Sequence, residues 1–138
     1  MGAVRDGDGP VEELRFRVLA VAERLHQLRR ALTEWATRVG LTAQTISDLV
    51  LAAYEAMANV VEHAYGAGTS GLLDLHARAD LVHRTVTVSV TDYGSWRPPP
   101  PGPNPRGRGL RLIRGLAQHT TINPGEHGTT VTMTYEMA

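Results

Sequence analysis

Six of the eight prolines in this 138-residue chain lie between Gly94 and Gly107. Proline lacks a backbone donor and fixes φ, so neither a central strand nor a helix interior can cross this stretch. We therefore predict a loop there, which divides the chain into a longer first block and a shorter second block. The length suits one compact domain rather than two. We expect that domain to span residues 12–138, after a Gly- and Asp-rich flexible start at residues 1–11.

Apolar periodicity predicts the helices and strands on either side of the loop. Strands alternate apolar and polar positions, whereas helices repeat an apolar position every three or four residues. Gly40 and Gly66 mark helix ends, and Thr42 is a suitable N-cap. The prediction is, in chain order, a strand at 12–19, helices at 21–39 and 42–64, strands at 72–79 and 81–91, a helix at 109–119, and strands at 120–123 and 129–135. This order predicts an α+β fold, a two-layer α/β sandwich with a mostly antiparallel mixed sheet and its helices on one face.

The charge balance and the missing residue types exclude several classes of function. Fourteen basic and fourteen acidic side chains give a formal net charge of zero, so we expect no direct nucleic-acid or membrane partner. Every basic residue is Arg, and without Lys there is neither a P-loop lysine nor Schiff-base chemistry. The chain has no Cys, and its six His lack metal-binding spacing, so we expect no zinc site. No apolar run reaches membrane-spanning length, and we expect a soluble cytoplasmic protein.

The second helix carries a candidate pair of polar residues, Glu55 and Asn59. Their spacing of four places both side chains on one side of the helix. A solvated helix face would carry the same residue types. The pair alone therefore leaves both interpretations open.

Asp92 ends the most β-rich strand, and Gly94 follows it closely. An Asp in this position commonly forms a turn by accepting hydrogen bonds from nearby backbone N–H groups. The functional alternative is a buried carboxylate that accepts a hydrogen bond from a ligand amino group such as that of adenine, with Gly94 letting the base approach the backbone. Thr129 and Thr130 open the last strand and could join Asp92 around a base, although threonine there also simply suits a strand.

A glycine-rich turn precedes the third helix and comprises Gly107, Arg108, Gly109 and Leu110. Backbone N–H groups of such a turn can converge on an anion, and the helix dipole favours negative charge there. A glycine pair is also a common loop ending. Anion binding and an ordinary loop both remain open.

The succession of these features resembles a known nucleotide site. Glu-x-x-x-Asn on a helix, Asp-x-Gly at a strand end, a loop, Gly-x-Gly-Leu opening a helix and Gly-Thr on a strand occur in this order in the Bergerat-fold ATPases, which include gyrase-type topoisomerases, heat-shock chaperones, histidine kinases and mismatch-repair ATPases. The segments EAMANVVEHAY, VTDYGSW and GRGLRLIRGLA are similar to the small anti-sigma factor serine/threonine-protein kinases of bacterial stress and sporulation switches. The resemblance runs from about residue 12 to residue 136.

This resemblance implies a site for ATP and magnesium. Asn59 would bind the magnesium ion that bridges the phosphates, and Glu55 would be the general base toward the attacking hydroxyl. Residues 95–106 would be the ATP lid. The phosphates would be held by the backbone N–H groups of Gly107, Arg108, Gly109 and Leu110.

At the base end of the implied site, Asp92 would hold the adenine amino group and Gly94 would line the pocket. Thr130, in preference to Thr129, would complete the adenine contact. One position departs from the family pattern, because Trp96 replaces the second glycine of Asp-x-Gly-x-Gly. This replacement puts lid flexibility and the shape of the pocket mouth in question.

The resemblance also implies a reaction and partners. The chain would transfer the ATP γ-phosphate to a serine of a STAS-type anti-anti-sigma protein, would sequester a sigma factor, and would form a homodimer. Two alternatives stay open. One is a catalytically silent, nucleotide-gated protein-binding module of the same fold, favoured by Trp96, and the other is a slow ATPase that uses water.

Overall fold

The computed structural model describes residues 3–5, 10–66, 71–95 and 108–137, which form three α-helices and six strands. In chain order these are β1 (Ala3–Arg5), β2 (Pro10–Leu19), α1 (Ala22–Val39), α2 (Ala43–Asn59), β3 (Leu72–Asp80), β4 (Thr85–Asp92), α3 (Arg108–Leu116), β5 (His119–Gly125) and β6 (Gly128–Glu136). A π-helical turn, Val60–Ala64, continues α2.

The strands form one sheet in the order β1-β2-β3-β4-β6-β5. Every strand pairing among the described residues is antiparallel. Alternate residues of β3, β4 and β6 are buried on the helix side, because successive side chains of a strand point to opposite faces. The opposite side, which we call the outer face, carries their half-exposed Thr, Ser, His and charged residues. The predicted α+β two-layer sandwich is confirmed, with an antiparallel rather than a mixed sheet.

The two longer helices form where the sequence supplies an apolar stripe and a defined end. α1 ends at Gly40, whose φ of 94° lies in the left-handed region that favours glycine. α2 begins after Thr42, whose hydroxyl accepts a hydrogen bond from the Thr45 N–H at 3.2 Å. The buried stripe of α1 recurs every three or four positions and consists of Leu25, Leu28, Leu32, Trp35 and Ala36.

The second helix, α2, is the central element of the helix layer because it contacts α1, α3, β4 and β6. Its small buried residues Ala52, Ala53 and Ala56 let the backbone come close to these neighbours. Leu49 and Met57 fill the remaining space and are fully buried, each contributing about 1.5–3 kcal/mol. This packing fixes the orientation of the polar residues that α2 also carries. No helix within the described ranges has the length and apolar character needed to cross a membrane.

The expectation of a flexible start at residues 1–11 is corrected at Ala3–Arg5, which forms a strand. Ala3 pairs with Glu12 and Arg5 with Pro10, so β2 also begins earlier than predicted. Backbone pairing to a sheet edge requires no apolar pattern. Three residues are in any case too few to show a period of two.

The start of β4 also differs from the prediction of a strand over 81–91. Asp80 Oδ1 accepts hydrogen bonds from the N–H groups of Val82 at 3.1 Å and His83 at 3.0 Å. An Asp that binds the backbone two and three residues on forms a turn. The strand therefore starts only at Thr85.

Candidate nucleotide site

The helix end of the candidate site is built by Glu55 and Asn59 on α2. Asn59 is buried, whereas Glu55, one turn earlier, is half-buried. The amide nitrogen of Asn59 has no hydrogen-bond partner among the described residues. A buried amide without a partner costs about 1–3 kcal/mol, so this side chain fits a polar ligand better than it fits an empty core.

The sheet end of the site is Asp92, the last residue of β4. It lies on the same face of the strand as Val88 and Val90 and is 2% exposed. Asp92 Oδ1 accepts a hydrogen bond from the Gly94 N–H at 2.9 Å. The carboxylate therefore forms the turn, which was one of the two alternatives that the sequence left open, and it is also buried.

The structure separates Thr129 from Thr130 and corrects the preference for Thr130. Thr130 pairs with Thr91 across β4 and β6, and their hydroxyl oxygens lie 3.0 Å apart on the outer face. Thr129, the preceding residue, is 1% exposed and shares the helix-side face with Asp92. Because adjacent strand residues face opposite ways, Thr129 is the residue that can act together with Asp92.

Glycines allow the ends of β4, β6 and α2 to meet. A Cβ on Gly94 would lie 2.1 Å from the Ala64 carbonyl oxygen, and one on Gly128 would lie 1.9 Å from the Asp92 carbonyl oxygen. The Ser95 N–H also donates to the Ala64 oxygen at 2.8 Å. Sequence reasoning assigned no role to Gly128, although its place before Thr129 at the start of a strand was the available signal.

The phosphate end predicted at the third helix is described only from Arg108 onward. Arg108, Gly109 and Leu110 form the first turn of α3, where backbone N–H groups have no partner within the helix. α3 packs on α2, and its Ile113 is fully buried. Gly107, Trp96 and the lid beyond Ser95 lie outside the described residues.

Asn59 could contribute one oxygen ligand to a magnesium ion in this site. Among the described side chains no group of three or more His, Asp or Glu could hold a metal. Magnesium prefers oxygen ligands and is commonly bound by one or two protein groups plus substrate phosphates. The side-chain oxygen of Asn59 is a ligand of that kind.

A second polar cluster, which sequence reasoning missed, lies on the outer face beside Asp92. Arg17 Nε and Nη2 donate to the two carboxylate oxygens of Asp74 at 2.8 and 3.0 Å, and Nη2 also donates to the Tyr93 hydroxyl at 3.0 Å. The Tyr93 hydroxyl in turn donates to Asp74. The hydrogen bonds from Arg17 hold the pKa of the Asp74 carboxyl below its usual range, and the bond to Asp74 raises the pKa of Tyr93. Only the pairing of β2, β3 and β4 brings these three residues together.

The chain is similar to known proteins in both sequence and structure. Over 83 residues the chain is 34% identical to the serine-protein kinase RsbW of Halalkalibacterium halodurans, a match that covers 60% of this chain and 49% of that relative. The crystal structure of the RsbU and RsbW domains of a Mycobacterium tuberculosis protein superposes with a TM-score of 0.75 at 28% identity, over 94% of this chain and 33% of that one. The chain thus spans about half the length of the curated relative and a third of the solved chain. The family pattern of the histidine kinase-like ATPase domain matches residues 18–135, and the chain belongs to that family.

Proposed function

We propose that this chain binds Mg-ATP, transfers the γ-phosphate to a serine of a STAS-type anti-anti-sigma protein, and sequesters a sigma factor. Membership of the histidine kinase-like ATPase domain family supports the nucleotide. Similarity to a serine-protein kinase supports the reaction. The two partners follow from the resemblance to anti-sigma serine kinases.

One observation carries the proposal. In the described part of the chain, the buried side chains that carry an amide, a carboxylate or a threonine hydroxyl are those of Asn59, Asp92 and Thr129. The Asn59 amide nitrogen has no hydrogen-bond partner among the described residues, and an unpaired buried polar group is costly. The three residues come from α2, β4 and β6, which contact one another, and this grouping fits a polar ligand between the helix layer and the sheet.

The residues divide into a base end and a phosphate end. Asp92 would accept a hydrogen bond from the adenine amino group, with Thr129 beside it and Gly94 allowing close approach. Asn59 would hold magnesium, which when bound neutralises phosphate charge. Gly107 and the first turn of α3, Arg108 to Leu110, would present N–H groups to the phosphates.

Glu55 would be the general base of the transfer. Its carboxylate would take the proton of the serine hydroxyl as the serine oxygen attacks the γ-phosphorus and the bond to the β,γ-bridging oxygen breaks. The products would be ADP and phosphoserine. Phosphorylation adds about two negative charges to the partner surface, and this change would dissociate the complex.

The first experiment is calorimetric titration of Mg-ATP into the wild type, Asp92→Asn and Asp48→Asn. Asp48 is the matched control because it lies near the other end of α2 and accepts a hydrogen bond from Gln44. We expect binding in the wild type and Asp48→Asn, and at least about tenfold weaker binding in Asp92→Asn. Absence of binding to the wild type would refute the nucleotide site.

The second experiment follows labelled γ-phosphate with a STAS-type protein present or absent. We expect a labelled serine on the partner, and a loss of about 100-fold or more in Glu55→Gln without loss of ATP binding. Glu34→Gln, an exposed position on α1, is the control. Partner binding without transfer would favour the nucleotide-gated module, and phosphate release without a partner would favour an ATPase.

A further inference from the structure

Tyr65 directly follows the π-helical turn that ends the α2 segment, and it joins three parts of the fold. Its hydroxyl accepts a hydrogen bond from the Tyr93 N–H at 2.9 Å and donates one to the Leu72 carbonyl oxygen at 2.6 Å. Tyr93 lies between Asp92 and Gly94. The hydroxyl therefore connects the base end of the proposed site to the start of β3.

The ring of Tyr65 is enclosed by two glycines. A Cβ on Gly71 would lie 2.1 Å from the ring, and one on Gly94 would lie 3.0 Å from it. Neither position leaves room for a larger side chain without displacement. The absence of side chains at these two positions leaves room for the ring where its hydroxyl reaches the Tyr93 N–H.

The turn from Asp92 to Ser95 is consequently fixed by three hydrogen bonds. The Gly94 N–H binds the Asp92 carboxylate, the Ser95 N–H binds the Ala64 oxygen, and the Tyr93 N–H binds Tyr65. Two of these bonds reach back to the segment that continues the helix carrying Glu55 and Asn59. The base end and the helix end of the site are thus mechanically joined at residues 64–65.

We infer that Tyr65 is a positioning residue for base recognition, which sets the Asp92 carboxylate for the adenine amino group. This inference rests on the proposed ATP site. Tyr65→Phe would keep the ring but remove the acceptor of the Tyr93 N–H. The turn would then shift, and the hydrogen bond to the base would weaken, whereas contacts to the ribose and phosphates would be unaffected.

The test compares Mg-ATP with Mg-ITP, which carries the same ribose and triphosphate but a carbonyl oxygen in place of the amino group. Dissociation constants are measured for the wild type, Tyr65→Phe and Tyr54→Phe. Tyr54 is a matched control because it lies on α2 and its ring stacks on Arg29, 5.6 Å from the guanidinium. We expect the preference for ATP over ITP to fall about tenfold in Tyr65→Phe and to stay unchanged in Tyr54→Phe.

A merely structural role for Tyr65 would weaken both nucleotides alike and leave this preference unchanged, and that result would overturn the inference. Gly71→Ala provides a second route, because its Cβ would push the Tyr65 ring away, and it should lower the preference in the same way. If Tyr65→Phe does not unfold cooperatively, the ATP-over-ITP preference of Gly71→Ala is the test instead. If the wild type binds neither nucleotide, the proposed function and this inference are both refuted. If the wild type prefers ATP and Tyr65→Phe keeps that preference, only the inference about Tyr65 is refuted.

Discussion

Gly94 is a position where a single added carbon would directly affect the site. In Gly94→Ala the Cβ would meet the backbone oxygen of Ala64 at 2.1 Å, and backbone cannot rotate away as a side chain can. We expect a loss of about 2 kcal/mol in the free energy of unfolding and weakened Mg-ATP binding. Gly125→Ala is the control, since its nearest contact would be an ordinary 3.5 Å. Equal free energies of unfolding for the two variants in urea titrations would contradict the expected clash with Ala64.

Asp74 predicts a dependence of stability on acid pH. Its folded-state pKa is lowered, chiefly by hydrogen bonds from Arg17, so its stabilising contribution is present above the unfolded value of about 3.9 and is lost as pH falls through the lower folded value. Wild type should therefore be slightly more stable than Asp74→Asn at pH 6, and the difference should vanish in acid. The effect is small because the Arg17 side chain is well exposed. Urea unfolding of both proteins from pH 6 down to pH 2 measures it, and a difference that grows in acid would exclude the pairing.

For individual residues, the sequence predicted the residue types of the site more readily than the side of the strand on which each side chain lies. Asn59 and Asp92 were predicted as site residues from their order along the chain, and both are buried. Alternation alone could not tell that Thr129, rather than Thr130, faces the helices, since a shift of one residue reverses every side chain of a strand. Tyr65 carried no signal of its own, because its partners are Leu72, at the start of β3, and Tyr93, just after β4.

Two glycines in or beside helices should respond oppositely to the same substitution. Gly40 ends α1 with φ of 94°, and a Cβ there would meet nothing within 4 Å. Gly40→Ala should therefore lower the free energy of unfolding by about 1 kcal/mol through backbone strain alone. Gly115 is the penultimate residue of α3, also with open space around a Cβ, and Gly115→Ala should raise the free energy of unfolding by up to about 1 kcal/mol. Thermal and urea unfolding of both variants test the pair. A shift of the same sign in both would show that conformation is not the cause.

Helices and strands could be predicted where one apolar period runs through the whole element. They were missed where contacts with distant parts of the chain determine the local structure. α1 and α2 follow their apolar periods and end signals closely. The π-helical turn Val60–Ala64 has the same composition as a regular helix, so its altered geometry could not be predicted. The strand Ala3–Arg5 exists through its pairing with β2, which a local pattern does not contain.

At the scale of the whole molecule, the proposed site lies across the fold rather than on one element. Its residues come from α2, from the ends of β4 and β6, and from the start of α3, and α2 contacts each of the other three. The same contacts form the apolar core of the described residues. The site and the core are therefore coupled, because separating the helix layer from the sheet would disrupt both the site and the core.

This coupling predicts that ATP stabilises the entire domain. At free Mg-ATP of about 100 times Kd, the free energy of unfolding should rise by about 2.7 kcal/mol, and hydrogen exchange should slow in the buried centres of β3 and β4, such as Leu75 and Val88, which exchange chiefly through global opening. Asp92→Asn should show neither change at the same nucleotide concentration. Protection confined to the Asp92 turn and α3 would instead mean that the nucleotide orders only its immediate surroundings and that the core is independent of the site.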